Sequence, residues 1–454
     1  MTVANDTIHA LASAPGKAGV AVLRISGPHA SDVLTKLSRR ELPSPRHLAL
    51  RSLFHPDDQN AQDKLDEALI AWMPGPASFT GEDCAEIHIH GGVAILSAVL
   101  SAIEATGFSR PALPGEFSRR AFENGRMDLT RAESIADLVD AETEGQRRQA
   151  FRQYDGEMKE RLDDWRTQII DAMASLEAAI DFPDEEDVPD GVDGRAYQIT
   201  QNLRDDIETA LKDSGRTMAI RDGFRIAILG EPNAGKSSLL NKVAGRDAAI
   251  VSDIAGTTRD IIEVRLDLDG YVVWLSDTAG LRKTQDQIEA EGVKRALAKA
   301  ADSDLRILVV PVGAEHWSLE LLEPEDLLVI NKIDLGKAPA RLLDDAAPHD
   351  LKIVQTSVRS DESLTELLAS LSKIVSSRLS VMEAPVVTRD RHRHHLASAK
   401  DRLDTALDAM SNGVGPELVS EDLRLASRAI GAITGAVDVE DLLDRIFGEF
   451  CIGK

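Results

Sequence analysis

The sequence predicts a multidomain protein with an N-terminal α+β domain, a discontinuous all-α helical domain, and an α/β domain inserted into the helical one. Three observations predict this fold class. Short strand patterns separated by Gly/Pro turns fill residues 1–120. Helical periodicity dominates residues 121–220 and returns over residues 377–454, and buried-strand runs lie between them over residues 221–376. We therefore expect the two helical stretches to form one bundle, with the α/β domain inserted between them in sequence.

Composition limits the classes of protein that fit. The 454 residues suffice for about three domains of roughly 150 residues each. Because the chain has 77 acidic and 52 basic residues, its formal net charge is −25, which argues against binding to nucleic acid or an anionic membrane by bulk charge. The two cysteines lie far apart, and we find neither a leader pattern nor an apolar run of about 18 residues. We therefore expect a cytoplasmic protein that does not span a membrane.

The N-terminal α+β domain is predicted from strand patterns at residues 19–25 and 84–90. Along the second pattern apolar and polar side chains alternate, which predicts a strand with one packed and one open face. The packed face holds Ala85, Ile87 and Ile89, and the open face holds Glu86, His88 and His90. We interpret the H-x-H pair as part of the polar face, because no third metal ligand lies at a useful spacing.

The helical domain is predicted to open with a capping box, in which Thr130 caps the first turn and Glu133 returns the bond. Helical spacing then continues to the acidic, proline-containing run 182–191 and resumes at about residue 200. The first stripe consists of Leu162, Trp165, Ile169, Met173, Leu176 and Ile180. Beyond residue 377 the stripes consist of Leu396, Leu403, Leu407 and Met410, then Leu442, Leu443, Ile446 and Phe450.

The inserted domain opens with the buried-strand run FRIAILG, which leads directly into the segment GEPNAGKS at residues 230–237. This segment satisfies the pattern G-x-x-x-x-G-K-[ST] in the required order of strand, loop and helix. Its glycines allow backbone N–H groups to surround phosphates at a helix N-terminus. We expect Lys236 to reach the β and γ phosphates and the Ser237 hydroxyl to bind Mg²⁺.

Further motifs follow in order after apolar runs. Asp277 stands where a metal-side carboxylate belongs, and residues 278–280 follow it as a γ-phosphate-sensing turn. The NKID segment ends in Asp334, whose carboxylate can accept hydrogen bonds from N1–H and the exocyclic amine of guanine. Adenine has no such pair of donors, so GTP is the expected nucleotide, with Ser357 supporting the base-binding loop. The inserted domain is therefore predicted to be an α/β P-loop GTPase domain.

A Gly-containing loop at residues 252–260 is suited to a nucleotide-sensing switch. Of its two adjacent threonines, Thr258 is the better candidate for completing the Mg²⁺ shell. In full, the residues predicted to bind GTP are Asn233, Ala234, Gly235, Lys236, Ser237, Ser238, Ser252, Asp253, Ile254, Ala255, Gly256, Thr257, Thr258, Asp277, Thr278, Ala279, Gly280, Asn331, Lys332, Asp334, Ser357, Val358 and Arg359.

Hydrolysis needs a positioned water molecule and extra positive charge at the transition state. Leu281 follows the DTAG turn, and its side chain cannot orient water. The residues alone leave several candidates open. The candidates for orienting the water molecule are Asp286, Glu289 and Glu291. The candidates for supplying the positive charge are Arg259, Arg282 and a bound monovalent cation.

Motifs along essentially the whole chain resemble those of the tRNA-modification GTPase family, known as MnmE or TrmE. Several of them are not general to GTPases. They are LRISG at 23–27, PGPASFTGED at 74–83, HGG at 90–92, PGEFSRRAF at 114–122, GRMDLTRAE at 125–133, DFPDEE at 181–186, PNAGKSSLLN at 232–241, DIAGTTRD at 253–260, DTAGLR at 277–282 and the terminal FCIGK.

This resemblance implies a homodimer that associates through its N-terminal domains and acts with a flavin-containing partner of the MnmG (GidA) type, which carries FAD. Together, family members add an aminomethyl or carboxymethylaminomethyl group at C5 of the tRNA wobble uridine. The resemblance also implies a one-carbon tetrahydrofolate derivative in the N-terminal domain. GTP hydrolysis is implied to be potassium-stimulated, with the cation replacing an arginine finger.

The resemblance further implies roles for individual residues. The implied potassium ligands are Asn233, Ser252, Ile254 and Thr257, and the implied magnesium ligands are Ser237 and Thr258. Glu289 is implied as the water-orienting acid. The implied folate contacts are Arg24, Glu86, Arg126 and Lys454. This chain departs from the family pattern at Arg126, where Lys is frequent, and at Val358, where Ala is usual.

Several interpretations stay open. Cys451 is either a functional tail thiol, as the resemblance suggests, or a small apolar residue that closes the helix ending at Phe450. The basic stretch 389–395 either touches tRNA phosphates or forms the solvated start of a helix. For the whole protein, the alternatives are a ribosome-assembly or stress-response switch GTPase and a self-sufficient folate-dependent transferase.

Overall fold

The computed structural model describes residues 6–181, 192–246, 263–277, 300–379, 387–437, 440–448 and 450–453. The chain divides into two compact units, one from residues 1–136 with 427–454 and the other from residues 137–426. The predicted fold class is confirmed, since a mixed sheet, long helices and an α/β domain are all present. The bounds of the four predicted segments stay a prediction.

The described residues form the following elements in chain order. The strands are β1 (Thr7–Leu11), β2 (Val20–Ser26), β3 (Leu48–Phe54), β4 (Lys64–Met73), β5 (Cys84–His90), β6 (Ser109–Pro111), β7 (Phe224–Leu229), β8 (Glu263–Leu268), β9 (Tyr271–Asp277), β10 (Leu305–Pro311), β11 (Leu327–Asn331) and β12 (Lys352–Thr356). The helices are α1 (Ala30–Ser38), α2 (Val93–Ala105), α3 (Glu116–Glu123), α4 (Leu129–Asp140), α5 (Glu144–Asp155), α6 (Glu157–Asp181), α7 (Val192–Asp222), α8 (Lys236–Ala244), α9 (Ala340–Ala346), α10 (Asp361–Leu379), α11 (Asp390–Ser411), α12 (Pro416–Thr434) and α13 (Glu440–Gly448).

The first unit is built on a six-stranded sheet in the order β3-β4-β5-β2-β1-β6. Strand β5 confirms the alternation read from the sequence. Ala85, Ile87 and Ile89 are buried against α1 and α2, whereas Glu86 and His88 are half-buried on the other face. The pairing of β2 with β5 places a basic and an acidic side chain, Arg24 and Glu86, directly opposite each other on this second face.

The predicted capping box at Thr130 is wrong. Helix α4 begins at Leu129, and the carboxylate of Asp128 accepts a hydrogen bond from the backbone N–H of Arg131 at 2.9 Å. The Thr130 hydroxyl donates to the same carboxylate at 2.7 Å. Asp128 is an equally good capping residue two positions earlier, so it takes the position that the sequence pattern assigned to Thr130.

The C-terminal segment packs within the first unit. Leu443, Phe447 and Phe450 are buried against Leu129 and Phe122. The tail then reaches β1, where Gly453 has a φ of +99° and a Cβ at this position would lie 2.1 Å from the Leu11 carbonyl oxygen. Only glycine fits such a close backbone approach in this conformation.

The second unit contains a sheet in the order β12-β11-β10-β7-β9-β8, parallel except for β8. Its central strands β7, β10 and β11 are nearly continuous runs of buried residues, as expected for a parallel sheet covered on both faces, whereas the edge strands β8 and β12 are only partly buried. Because the strands run in the same direction, the carboxyl ends of β7, β9, β11 and β12 lie at one edge of the sheet.

The apolar positions predicted for α6 are largely buried in the second unit. The other long helix, α7, begins earlier than predicted. Leu162, Trp165, Ile169 and Leu176 of α6 are buried. Helix α7 begins at Val192 rather than near residue 200. Its first turns are polar and contain Gly194, but Ala196 and Thr200 are buried, so packing overrides the weak local pattern. No described helix is long and apolar enough to cross a lipid bilayer.

The basic stretch 389–395 is partly packed into the second unit, with Asp390, Arg393 and His394 exposed. Arg389 pairs with Asp137 at 2.7 Å, and His392 is fully buried. Burial lowers the pKa of His395 to about 4, with a further contribution from the neighbouring charge of Arg391. These contacts favour the start of a helix over phosphate binding for this part of the stretch.

Candidate functional site

The loop after β7 turns at the carboxyl edge of the second sheet. Gly230 has a φ of +137°, and a Cβ there would lie 2.3 Å from the Val309 carbonyl oxygen. Gly235, with a φ of +99°, immediately precedes α8. The two glycines let the backbone curl tightly between strand and helix, which leaves the helix N-terminus facing the loop.

Lys236 folds back over this loop. Its side chain is buried, and Nζ donates to the carbonyl oxygens of Gly230 at 2.7 Å and Glu231 at 2.9 Å. Burial lowers the pKa of Lys236, while the charges of Asp277 and Glu231 oppose this effect. The ammonium group therefore lies inside the loop, where it can exchange its carbonyl partners for phosphate oxygens.

Two oxygen ligands suited to a hard cation meet beside Lys236. The Ser237 hydroxyl donates to the Asp277 carboxylate at 2.7 Å, and Asp277 is buried at the end of β9. Register places Asp277 beside Ile228, directly before the loop that contains Lys236. A hydroxyl and a carboxylate at hydrogen-bond distance fit the preference of Mg²⁺ for oxygen ligands.

The segment after β11 supports the loop from the other side. Asn331 is fully buried and donates from Nδ2 to the Ala234 carbonyl oxygen at 2.9 Å. The neighbouring Lys332 donates from Nζ to the Asn233 carbonyl oxygen at 2.8 Å. These two bonds tie the loop that precedes α8 to the strand that leads to Asp334.

Asp334 is held in place by the loop after β12. The Ser357 hydroxyl donates to Asp334 Oδ1 at 2.6 Å, and Arg359 lies 3.3 Å from Oδ2. The Ser357 bond is the main cause that lowers the pKa of Asp334, so the carboxyl group stays ionised. Val358 packs partly buried against the core beneath, and Ser238 is exposed on the first turn of α8.

These residues span 130 positions of the sequence, from Gly230 to Arg359, and the fold brings them to one edge of the sheet. The remaining nucleotide-site candidates lie outside the described residues. They are Ser252, Asp253, Ile254, Ala255, Gly256, Thr257, Thr258, Thr278, Ala279, Gly280 and Glu289, together with Arg259, Arg282, Asp286 and Glu291.

A second cluster lies on the open face of the first sheet. Arg24 donates from Nη2 to Glu86 Oε1 at 3.0 Å, and its guanidinium lies 5.1 Å from the centre of the Phe79 ring. His88 lies 3.4 Å from Glu86 Oε2. This face therefore offers a half-buried cation above an aromatic ring, which suits a planar or anionic ligand.

The loop at residues 74–83 connects Arg24 to Arg126. Its Phe79 lies under Arg24, and the stem of Arg126 passes so close to Gly81 that a Cβ there would lie 3.2 Å from Arg126 Cγ. Arg120, itself buried, holds the loop through Glu82 at 3.3 Å. Two of the four implied folate contacts, Arg24 and Arg126, thus lie against one loop, Glu86 is bonded to Arg24, and Lys454 lies outside the described residues.

Cys451 is exposed, and its carbonyl oxygen accepts a hydrogen bond from Gly115 N–H at 3.5 Å. The exposed side chain favours the tail thiol over the packing residue, and the role of Cys451 stays a prediction. Cys84 is buried between the Thr80 and Ser26 hydroxyls, with sulfur–oxygen distances of 3.1 and 3.4 Å.

Two functional candidates were missed from the sequence. Ser363, in the first turn of α10, contacts the backbone behind Ser357. Arg120 supports the loop beside Arg24. Ser360 is a typical residue for capping a helix start, and its hydroxyl accepts from the Ser363 N–H at 3.3 Å, but the contact of the Ser363 hydroxyl with Ser357 depends on the fold of the loop.

Comparisons with known proteins cover almost the whole chain. Residues 7–126 match the family model described as the N-terminus of GTP-binding protein TrmE, and residues 129–451 match the model of the MnmE helical domain. Three similar relatives are each described as tRNA modification GTPase MnmE. They come from Maricaulis maris (49% identical over 453 residues), Parvibaculum lavamentivorans (49% over 451) and Caulobacter vibrioides (48% over 454), and each alignment spans 99% of this chain and 100% of the relative.

Proposed function

The chain belongs to the MnmE (TrmE) family of tRNA modification GTPases, and from this premise we propose that it hydrolyses GTP in the course of modifying tRNA. One observation carries the GTPase part. The glycine-containing loop after β7, the buried Asp277 carboxylate beside a hydroxyl, and Asp334 meet at one edge of a parallel sheet, where ligands bind in open α/β folds.

In this proposal the loop that ends at Gly235 binds the phosphates, and Lys236 exchanges its carbonyl partners for β and γ oxygens. Ser237 and Asp277 hold Mg²⁺ on the γ-phosphate side, with Thr258 completing the shell. When bound, the cation neutralises charge that develops on the transferred phosphoryl group. Asp334 receives the guanine base, and Ser357 and Arg359 support it.

We further propose that potassium stimulates hydrolysis, with Asn233, Ser252, Ile254 and Thr257 as its ligands and Glu289 orienting the water. The Asn233 backbone, at a φ of +64°, is fixed by the bond from Lys332 to its carbonyl oxygen, and the residue is exposed, so its side chain is available as a candidate ligand. Resemblance to the family supports the roles of Ser252, Ile254, Thr257 and Glu289.

GTP turnover is expected to be at least roughly tenfold faster in potassium than in sodium at equal ionic strength, because a cation that fits the loop replaces the charge of an arginine finger. Phosphate release by the full chain measures this directly. Equal rates in the two salts would contradict the cation and would return Arg259 and Arg282 as the sources of charge.

For the tRNA chemistry we propose that Arg24, Glu86, Arg126 and Lys454 hold a one-carbon tetrahydrofolate derivative. Support comes from the loop at residues 74–83, whose Phe79 lies under Arg24 and whose Gly81 lies against Arg126, and from the bond between Arg24 and Glu86. A flavin-containing partner of the MnmG type, carrying FAD, then acts with this chain to add an aminomethyl or carboxymethylaminomethyl group at the wobble uridine. Both proteins are proposed to act in the cytoplasm, and Cys451 is proposed as a functional thiol because its side chain is exposed.

Homodimer formation through the N-terminal domain is supported by an apolar sheet edge. Strand β3 lies at the edge of the first sheet, and its Leu48 and Leu50 are exposed together with Leu69 on β4. Leu50 and Leu69 are register partners, so the exposed leucines form one continuous surface. An uncovered apolar edge of this kind favours pairing with a second copy.

The proposed function is tested by mass spectrometry of tRNA nucleosides from a strain that lacks this protein. We expect unmodified uridine at the wobble position, and restoration of the modification when the wild-type chain is supplied. An unchanged nucleoside profile would contradict the proposal and would favour a ribosome-assembly or stress-response switch GTPase.

A further inference from the structure

We propose that Ser363 is a positioning residue for guanine recognition, because its hydroxyl fixes the loop that holds Asp334. The inference rests on the proposed GTP binding and deepens it. Ser363 lies in the first turn of α10 and is 8% exposed. It belongs to none of the motifs that identify the nucleotide site.

The Ser363 hydroxyl is bonded on both sides of the loop after β12. Its Oγ accepts a hydrogen bond from the Ser357 backbone N–H at 3.0 Å. The same hydroxyl lies 3.2 Å from the Ser360 carbonyl oxygen and 3.3 Å from that of Ser357, to either of which it can donate. Thr356, fully buried, lies within 3.4 Å of it. One hydroxyl therefore closes the turn on which Ser357 is carried.

Ser357 passes this constraint to Asp334. Its side chain is buried, accepts a bond from Arg359 N–H at 3.2 Å and donates to Asp334 Oδ1 at 2.6 Å. Without the Ser363 hydroxyl, the Ser357 N–H would be buried without this acceptor, and a buried donor that loses its acceptor is costly. The turn would shift to satisfy it, and the Asp334 carboxylate would lose its fixed orientation.

Orientation of Asp334 matters most for a base with two donors. Guanine offers N1–H and an exocyclic amine, whereas hypoxanthine offers only N1–H. A fixed carboxylate therefore favours guanosine over inosine nucleotides, because both of its oxygens must face the base. A rotated carboxylate can still accept one hydrogen bond. The affinity for guanosine nucleotides therefore falls more than the affinity for inosine nucleotides.

The test is Ser363→Ala in the full chain, with dissociation constants for GDP and IDP measured by calorimetry in Mg²⁺. We expect GDP affinity to fall about five- to tenfold and IDP affinity to change little, so the preference for GDP over IDP shrinks. Ser363→Thr keeps the hydroxyl and is expected to bind like wild type. Ser370→Ala is a matched control, because Ser370 lies on the same helix and its hydroxyl donates to the Glu366 carbonyl oxygen within that helix at 2.9 Å.

Unchanged GDP binding in Ser363→Ala, or equal losses for GDP and IDP, would overturn the inference while leaving GTP binding intact. A wild-type chain that fails to bind GDP would overturn the proposed function and the inference with it. If Ser363→Ala does not fold, as judged by thermal unfolding, Ser363→Cys provides the same comparison with the volume retained. If Ser363→Cys then preferred GDP over IDP as strongly as the wild-type chain does, the inference would be overturned.

Discussion

Replacing Asp334 with Asn is expected to lower affinity for GTP by roughly 100-fold and to raise affinity for XTP. The carboxylate accepts from both N1–H and the exocyclic amine of guanine, whereas an asparagine amide presents its own N–H₂ to one of these donors. Xanthine carries a carbonyl oxygen in place of the amine and can accept from that N–H₂. Competition binding with GDP and XDP measures both changes.

The structure explains why this substitution should act on the base rather than on the loop. Asparagine keeps a carbonyl Oδ1, so it can still accept the bond that Ser357 donates at 2.6 Å. Asp344→Asn removes the same charge from the exposed face of the neighbouring helix α9 and is the matched control. Retained GTP affinity in Asp334→Asn, or a loss of GTP without any gain of XTP, would contradict the assignment of Asp334 to the base.

The arrangement of the inserted domain could be predicted from sequence because its motifs follow buried strands in order. In a parallel sheet the residues after successive strands meet at one edge, so Lys236, Asp277 and Asp334 were expected to converge. The structure brings them together, while their roles in binding stay a prediction. The strand alternation of residues 84–90 is confirmed for a different reason. A period of two along a strand depends only on local backbone geometry.

Features that depend on competition between neighbours could not be predicted. Thr130 and Asp128 are both good capping residues, and only the folded backbone shows that Asp128 is the cap. The start of α7 depends on burial of Ala196, which no local pattern indicates. Ser363 was missed because its partner Ser357 is brought to it by the turn between β12 and α10.

Replacing Gly235 with Ala is expected to abolish measurable nucleotide binding, with a loss of roughly 100-fold or more in affinity. Two physical reasons combine. At a φ of +99° an L side chain is strained by about 1–3 kcal/mol. In addition, the new Cβ would lie 2.3 Å from Asn331 Nδ2, the atom that donates to the Ala234 carbonyl oxygen. Relief of the clash must therefore either move the phosphate loop or displace the Asn331 amide from its bond to the Ala234 carbonyl oxygen, which ties the loop to β11.

Gly245→Ala provides the matched control at the other end of α8. Gly245 has a φ of −83°, and a Cβ there would meet its nearest atom, the Asn241 carbonyl oxygen, at 3.7 Å. Alanine is therefore accommodated, and GDP affinity should stay within about twofold of wild type, as expected for a compatible Gly-to-Ala change. Calorimetry with GDP and thermal unfolding of both variants separate the two effects. If Gly235→Ala bound GDP as tightly as Gly245→Ala, a side chain at position 235 would not disturb nucleotide binding. The assignment of this loop to the phosphates would then be wrong.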